Sequence, residues 1–423
     1  MEIAQLLQGV SCTCGRTHTC QIKYVYIERG AAGRLAEICR DSGTVLVVAD
    51  ENTYAAAGED TVRALAGKTV RKVIFPGDTL LVPDEAAIAA VEKELPGADL
   101  IVGIGAGVIQ DLCKYVSHFG GVPYLVVATA PSMDGYASDG AAMITGGMKV
   151  TYACHMPLAI VADPAVLAAA PMDMLQAGYG DIIGKFSALN DWKLSHCVNG
   201  EYLCPFIYDL TMEQVRRVLS LAEGIVRRDE AAVGALMEAL VIVGIMMSFA
   251  GSSRPASGSE HHLSHFFEIT GILAGTPYFP HGIDVAYSTV VTARLRRKIL
   301  CHPLPEKIYR LSRPELEAEI GRIYGSSASG CLALQDKVGN YAADRLEIFR
   351  AKEQEIRAIL SEMPAPEEIR DMLALVGLEM DAFYARYGAA HIADAVLYAK
   401  DLKDRYTVLW LNYDFFGGEK DVR

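Results

Sequence analysis

The sequence lacks any run of lysine and arginine of the kind that grips a nucleic-acid backbone. Its 423 residues contain 39 Lys and Arg against 52 Asp and Glu, a formal net charge of −13 at pH 7. Because so acidic a chain repels phosphate backbones, we expect no nucleic-acid partner. Internal repeats and low-complexity linkers are also missing. A hydrophobic content of 51% indicates a globular protein, of roughly two or three domains at this length.

No basic segment followed by an apolar one opens the sequence, so we expect no secretory signal. The longest apolar stretch, residues 235–251, contains Glu238 and spans about 17 residues, near the lower limit for crossing a bilayer. We therefore predict a buried core helix at this stretch, no membrane partner and a cytoplasmic location.

The ten cysteines are scattered, and in a cytosolic chain we expect reduced thiols. One cluster stands out, where Cys12, Cys14, His18 and Cys20 lie close in sequence. A zinc knuckle usually needs a second ligand pair at matching spacing, and none follows. We therefore predict ordinary thiols on a strand and turn, rather than structural zinc.

The first 165 residues or so alternate short β-branched apolar runs with helical segments. Such runs suit strands buried on both faces of a parallel sheet. The predicted strands are 43–50, 71–77, 100–107, 124–131 and 158–164, and the predicted helices between them are 54–65, 84–93 and 108–119. We therefore predict an α/β domain with a parallel, Rossmann-like sheet at residues 1–168.

From about Pro171 the spacing of apolar residues is helical, and convincing alternating strands are absent. The predicted helices are 171–195, 211–228, 229–250, 257–269, 283–300, 314–324, 332–361, 366–376 and 390–403. We therefore predict an all-α domain at residues 169–423.

A glycine-rich turn, residues 103–107, joins the third predicted strand to a helix. Gly103, Gly105 and Gly107 would let the backbone approach a pyrophosphate closely, and the helix would present N–H groups to it. The spacing is G-x-G-x-G rather than the usual G-x-G-x-x-G. The turn favours nucleotide binding, with a purely structural turn as the alternative.

A polar loop, residues 129–138, follows the next predicted strand. Its Thr129, Ser132 and Ser138 could hydrogen-bond phosphates or a nicotinamide amide, and its Asp134 could accept from a sugar or polyol hydroxyl. A loop held by local turn hydrogen bonds is the alternative. Asp50, which ends the first predicted strand, could bind the hydroxyls of an adenosine ribose and would repel a 2′-phosphate, which favours NAD over NADP.

His261 and His265 lie four residues apart, behind a capping-box spacing formed by Ser257 and Glu260. If a helix begins there, both imidazoles share one face and can converge on a metal or substrate. Two histidines at this spacing are more often surface or packing residues. With Asp181 upstream and His281 in a later His-Gly pair, however, they form a candidate divalent-metal set.

Five motifs in the same order resemble the sn-glycerol-1-phosphate dehydrogenase family, and within it the bacterial branch: GIGAGVIQD, TAPSMDGYAS, GYGDIIGK, SRPASGSEHHLSH and HG. That family is grouped with iron-type alcohol dehydrogenases, glycerol dehydrogenases and dehydroquinate synthases. The resemblance covers residues 43–300 or so. It implies a dehydroquinate synthase-like fold and reversible reduction of dihydroxyacetone phosphate by NAD(P)H, giving sn-glycerol 1-phosphate.

The resemblance also implies a role for each matching residue. The cofactor residues would be Gly105, Ala106, Gly107, Val108, Ile109, Asp111, Thr129, Ser132 and Ser138. The substrate would meet Asp134, Asp181 and His265, of which Asp181 and His265 are the catalytic pair. Asp181, His261 and His281 would hold one divalent ion per subunit, zinc or nickel, whereas His262 matches a position that is not a ligand.

The substrate phosphate needs a cationic or N–H-rich cradle, for which Arg254, the start of the 257–269 helix and Lys185 are candidates. Arg254 could equally form a salt bridge, and Lys185 could be a surface residue. The nearest alternative function is a glycerol or polyol dehydrogenase acting on an unphosphorylated alcohol. A non-catalytic binding module on the same scaffold predicts a broken ligand set, which this sequence does not have. We expect a homodimer.

Overall fold

The computed structural model of the chain describes residues 1–79, 81–146 and 148–417. The strands are β1 (Val10–Ser11), β2 (Thr17–His18), β3 (Tyr24–Ile27), β4 (Thr44–Asp50), β5 (Thr69–Phe75), β6 (Leu100–Gly105), β7 (Tyr124–Ala128), β8 (Gly140–Thr145), β9 (Met148–Ala153) and β10 (Ala159–Ala162). The α-helices are α1 (Ile3–Leu7), α2 (Leu35–Ile38), α3 (Glu51–Ala64), α4 (Glu85–Glu94), α5 (Gly107–Gly120), α6 (Pro164–Ala169), α7 (Met172–Asn199), α8 (Pro205–Leu219), α9 (Ala222–Val226), α10 (Glu230–Ala250), α11 (Ser259–Ala274), α12 (His281–Leu300), α13 (Arg313–Tyr324), α14 (Ala328–Val338), α15 (Leu346–Ala351), α16 (Glu353–Ser361), α17 (Pro366–Ala374), α18 (Met380–Tyr398) and α19 (Val408–Phe416).

The chain divides into two compact units. Unit 1 comprises Met1–Ile182 and Arg216–Ser252, and unit 2 comprises Ile183–Val215 and Ser253–Arg423. The sheets lie in unit 1, and helices α11–α19 lie in unit 2. The predicted α/β and all-α fold class is confirmed, whereas the predicted boundary at residues 168 and 169 stays a prediction.

A six-stranded parallel sheet forms the centre of unit 1, in the order β3-β10-β7-β6-β4-β5. All five predicted strands are present, as β4, β5, β6, β7 and β10. Except for the edge strand β5, their side chains are almost all buried, as expected for inner strands covered on both faces. The register pairs Val48 with Gly103 and Gly105 with Ala128. The carboxyl ends of β4, β6 and β7 therefore lie side by side at one edge of the sheet.

Edge strand β3 and the hairpin of β8 and β9 are among the elements of unit 1 that the sequence did not predict. Edge strand β3 has only four residues, all at least partly exposed, so its apolar pattern is weak. Strands β8 and β9 form an antiparallel hairpin with Gly140 opposite Ala153, and a hairpin does not follow the alternation of strand and helix on which the prediction depended.

Helix α10 confirms the predicted buried helix. Among the described residues it alone is long and apolar enough to cross a membrane by length and composition, but 83% of its most apolar window is buried inside the protein. A helix that is apolar all round and buried in this way is a core helix. Asp229 caps its start by accepting from the N–H groups of Ala231 and Ala232.

Unit 2 departs from the predicted helices at 332–361 and at 390–403, and its last helix, α19, was not predicted. The single helix predicted at 332–361 is wrong, because the chain forms α14, α15 and α16 there. Gly339 ends α14 in a left-handed conformation, φ 75°, which glycine adopts without steric cost. Helix α18 begins at Met380, ahead of the predicted 390, and is kinked at Gly388, φ 69°.

Candidate active site

Helix α11 begins at Ser259 with Gly258 as its N-cap, so the predicted capping box with Ser257 as N-cap is wrong. A Cβ atom on Gly258 would lie 2.7 Å from Cα of Ala188, so the helix start passes too close to α7 for a side chain. Glu260 still reaches back, since its Oε1 accepts the Gly258 N–H at 2.8 Å.

Glu260 also orients His261. Nδ1 of His261 lies 2.7 Å from Oε1 of Glu260, and both side chains are buried. Burial raises the pKa of Glu260, but its hydrogen bonds with His261 and the Gly258 N–H outweigh burial, so the pKa lies below its usual value. The carboxylate therefore favours the Nδ1–H tautomer of His261, in which Nε2 is the nitrogen that could bind a metal.

His281, the first residue of α12, is held in a similar way. Its Nδ1 lies 3.1 Å from the Oγ of Ser264, which also lies 3.3 Å from the His281 carbonyl oxygen. Ser264 lies on α11, and α11 packs against α12, so this contact joins the two helices. Sequence spacing could not show that Glu260 and Ser264 hold these two rings, because the hydrogen-bond partners of a histidine have no fixed spacing.

The histidines and one carboxylate converge. One ligand atom from each of Asp181, His261 and His281 lies within 4.8 Å of the others. The ring of His265 lies 5.4 Å from that of His281 and 6.4 Å from that of His261, centroid to centroid. His265 is therefore beside the predicted ligand trio without belonging to it. His262 is fully buried, and burial, followed by the nearby cations, holds its pKa well below the usual value.

Asp181 is fully buried on α7, and the polar loop of residues 129–138 reaches it. The backbone N–H of Asp134 donates to Oδ2 of Asp181 at 2.9 Å. Two glycines make room for this loop, since a Cβ on Gly178 would lie 1.7 Å from the Pro131 oxygen and a Cβ on Gly244 would lie 2.6 Å from the Asp134 oxygen. The close approach fixes the loop against the carboxylate.

The same loop is fastened by a buried lysine. Lys114 donates from Nζ to the Gly135 and Gly140 carbonyls at 2.9 and 2.7 Å, and it lies 3.2 Å from the Ser138 hydroxyl. Burial lowers the pKa of Lys114, and Asp111, 3.8 Å away, is the first of the groups that oppose the shift. Ser138 thus has a structural partner, and Thr129, Ser132 and Asp134 are buried in the same loop.

The glycine-rich turn has a structural role, and its geometry is compatible with the predicted nucleotide site. A Cβ on Gly105 would lie 2.7 Å from Cβ of Ile109, so the tight packing of β6 against α5 itself demands glycine. Gln110, which the sequence reasoning missed, donates to the Gly103 and Gly105 carbonyls at 3.1 and 3.2 Å. No side chain caps α5 at Ala106, so the backbone N–H groups of residues 107–109 are presented at the helix start, as an anion site requires.

Asp50 ends β4 at the same sheet edge as Gly105, as predicted. Its Oδ1 accepts the Thr53 N–H at 2.8 Å and so caps helix α3.

Two candidates for the phosphate cradle, Arg254 and Lys185, hydrogen-bond to other groups of the protein. The Arg254 guanidinium forms two hydrogen bonds with the Glu201 carboxylate, at 2.6 and 2.5 Å, and another to the Tyr406 carbonyl. This arrangement favours the salt-bridge alternative for Arg254. Lys185 is fully buried and donates to the Ala256 carbonyl at 3.0 Å, so its interpretation as a surface residue is wrong.

The sequence and the fold were compared with those of known proteins, and the sequence matches one family model. Residues 26–171 match the family model of iron-containing alcohol dehydrogenases. The chain is 36% identical over 292 residues to a glycerol-1-phosphate dehydrogenase (NAD(P)+) of Halalkalibacterium halodurans, covering 67% of this chain and 73% of that protein. It is 31% identical over 376 residues to the enzyme of the same name from Geobacillus stearothermophilus, 86% of each. The alcohol dehydrogenase of Oenococcus oeni shares the fold, with a TM-score of 0.61 at 15% identity over 92% of this chain and 95% of that one.

Proposed function

The chain belongs to the glycerol-1-phosphate dehydrogenase family, and on that premise we propose that it reversibly reduces dihydroxyacetone phosphate with NAD(P)H to sn-glycerol 1-phosphate. The observation that carries this proposal is the assembled group of Asp181, His261 and His281. A non-catalytic protein on the same scaffold has no need to keep three ligand atoms so close together.

The residues of this group fit a divalent cation. One carboxylate and two imidazoles suit zinc or nickel, and the bonds from Glu260 and Ser264 to Nδ1 orient both rings for binding through Nε2. We propose that the three residues hold one such ion per subunit. When bound, a divalent cation supplies Lewis-acid stabilisation of negative charge on the substrate oxygen.

The substrate residues are proposed from their places around this group. His265, beside His281, would orient a substrate hydroxyl and exchange its proton through a ring nitrogen. Asp181 and Asp134, joined by a backbone hydrogen bond, would contact the substrate from the α7 side. The residues that hold the substrate phosphate stay unassigned, because Arg254 is bonded to Glu201 and the Gly258 and Ser259 N–H groups at the start of α11 donate to the carboxylates of Glu260 and Asp191.

The cofactor residues are proposed from the sheet edge. The backbone of Gly105, Ala106, Gly107, Val108 and Ile109 would receive the pyrophosphate, with Asp111, Thr129, Ser132 and Ser138 beside it. Asp50 at the end of β4 would bind ribose hydroxyls, which favours NAD over NADP. When bound, the reduced cofactor supplies the hydride. We further propose a cytoplasmic homodimer with a small-molecule substrate.

The deciding experiment is metal analysis of the purified protein, followed by NADH oxidation with dihydroxyacetone phosphate and with dihydroxyacetone. We expect efficient turnover of the phosphorylated ketone alone, with sn-glycerol 1-phosphate as the product. Preferred turnover of dihydroxyacetone would instead establish the glycerol dehydrogenase alternative. Product of the opposite configuration would contradict the family assignment of the reaction.

A further inference from the structure

A short hairpin near the start of the chain brings cysteine and histidine side chains together. Strand β1 pairs with β2, with Val10 opposite His18. The Cys12 N–H donates to the Arg16 carbonyl at 3.0 Å, and the Gly15 N–H donates to the Cys12 carbonyl at 3.1 Å. Gly15 has φ 86°, which a residue with a side chain rarely adopts. The backbone is therefore folded into a tight turn around the Cys12 sulfur.

Two hydrogen bonds in this hairpin resemble those around metal ligands. The Cys14 N–H donates to Sγ of Cys12 at 3.5 Å, so the turn directs a backbone donor at this sulfur. Nδ1 of His18 lies 3.0 Å from the Phe249 carbonyl oxygen, so Nδ1 carries the proton, and Nε2 faces Sγ of Cys14 at 3.4 Å. A backbone carbonyl that fixes one ring nitrogen is the usual way of aiming the other at a metal.

The His18 ring is also rigidly placed. It is buried and stacks on the Phe249 ring, with 5.2 Å between centroids and 14° between planes. An ordinary surface hairpin has no need for a buried imidazole held on two sides.

A fourth ligand comes from far along the sequence. One ligand atom from each of Cys12, Cys14, His18 and Cys204 lies within 4.8 Å of the others. Sulfurs at the corners of a tetrahedral zinc site, with Zn–S of about 2.3 Å, lie about 3.8 Å apart. The four atoms thus need shifts of about an ångström or less to enclose one ion, and none of the three cysteines forms a disulfide.

We propose that Cys12, Cys14, His18 and Cys204 bind a structural zinc ion, distinct from the ion of the proposed active site. Three sulfurs and one imidazole nitrogen are a soft, closed ligand set, which leaves no position for substrate and is typical of structural zinc. The proposal replaces the prediction of ordinary thiols in this segment. That prediction considered only ligands near the segment in sequence, whereas Cys204 lies far along the chain.

Cys20 offers a matched control. It lies in the same segment, is partly buried, and has a pKa raised chiefly by burial, but it is not one of the four grouped residues. A substitution at Cys20 removes a thiol from the same region without removing a proposed ligand.

The test measures zinc per chain by mass spectrometry in a His261→Ala background, where the active-site ion is expected to be lost. We expect about one zinc per chain to remain, to fall roughly tenfold or more on adding Cys12→Ser or Cys204→Ser, and to be unaffected by Cys20→Ser. Cys14→His replaces one proposed ligand by another and so keeps a set of four. It should retain zinc if the serine variants lose zinc because a ligand is missing rather than because they misfold.

Cobalt replacement separates this site from the active site even if His261→Ala keeps its ion. A sulfur-to-cobalt charge-transfer band reports thiolate ligands only, and we expect it in the wild type and in Cys20→Ser but not in Cys12→Ser. The proposal is overturned if the wild type shows no such band and the His261→Ala protein takes up no zinc, or if Cys20→Ser loses as much metal as Cys12→Ser. In that case the Cys14 and His18 contact is only a weak thiol hydrogen bond.

Discussion

Replacing Glu260 by glutamine tests whether an orienting carboxylate sets the metal affinity of His261. Gln has nearly the same shape, so its amide oxygen can still accept the Gly258 N–H, and the start of α11 should be preserved. What is lost is the negative charge 2.7 Å from Nδ1 of His261, which makes the ring a better electron donor. Loss of such a partner typically weakens metal binding by about 10–100-fold, or about 1.4–2.8 kcal/mol.

The assay is the metal dissociation constant, measured by competition with a chelator, with kcat on the metal-saturated enzyme as a second readout. Ser264→Ala is the matched comparison, because it removes a neutral hydrogen bond from His281 on the neighbouring helix. A neutral bond contributes about 0.5–1.5 kcal/mol, so we expect a weakening of only about 2–12-fold. Glu260→Gln should therefore cost more than Ser264→Ala, and both should recover activity with excess metal.

Two results would refute this reasoning. Wild-type metal affinity in a folded Glu260→Gln protein would mean that the carboxylate serves only the helix start. Complete loss of binding, equal to that of His261→Ala, would mean that Glu260 is itself a ligand and that the trio with Asp181 and His281 is misassigned.

Three further predictions concern single side chains. His265→Ala should retain bound metal but lower kcat/KM for dihydroxyacetone phosphate by about 10²–10⁴-fold; unchanged efficiency would remove its substrate role. Arg254→Ala should destabilise the protein by about 2–3 kcal/mol in denaturant titrations, since it strips the partly buried Glu201 of its partner, with little change in KM for the substrate. A large rise in that KM at unchanged stability would restore Arg254 to the phosphate cradle. The wild type should have a higher kcat/KM with NADH than with NADPH, and Asp50→Ser should narrow the ratio; a native preference for NADPH would contradict the role of Asp50.

The parallel sheet could be predicted from sequence because its inner strands are buried on both faces. Continuous apolar runs such as residues 44–50 and 100–105 leave few other structures open to them. Strand β3 escaped prediction because an edge strand of four partly exposed residues has no such run. The single helix predicted at 332–361 was wrong for a different reason. The helical spacing of apolar residues continues across Gly339, but the backbone leaves the helical conformation there.

For the candidate site, the motifs predicted Asp181, His261 and His281 as one ligand set, and the structure brings one ligand atom of each within 4.8 Å of the others. Glu260 was noticed only as a capping residue, because sequence spacing cannot show that its carboxylate turns toward His261. Cys204 could not be predicted, since nothing near it in sequence marks a ligand and its proximity to Cys12 and Cys14 depends entirely on the fold.

The hydrogen bond from the Asp134 N–H to Asp181 has a thermodynamic consequence. It joins a proposed metal ligand to the loop that is proposed to meet the cofactor, so a shift of the loop on binding one ligand would change the environment of the other. Binding linkage is reciprocal: whatever factor the nucleotide contributes to metal affinity, the metal must contribute to nucleotide affinity. If the hydrogen bond transmits such a coupling, metal and nucleotide would change each other's affinity by one and the same factor.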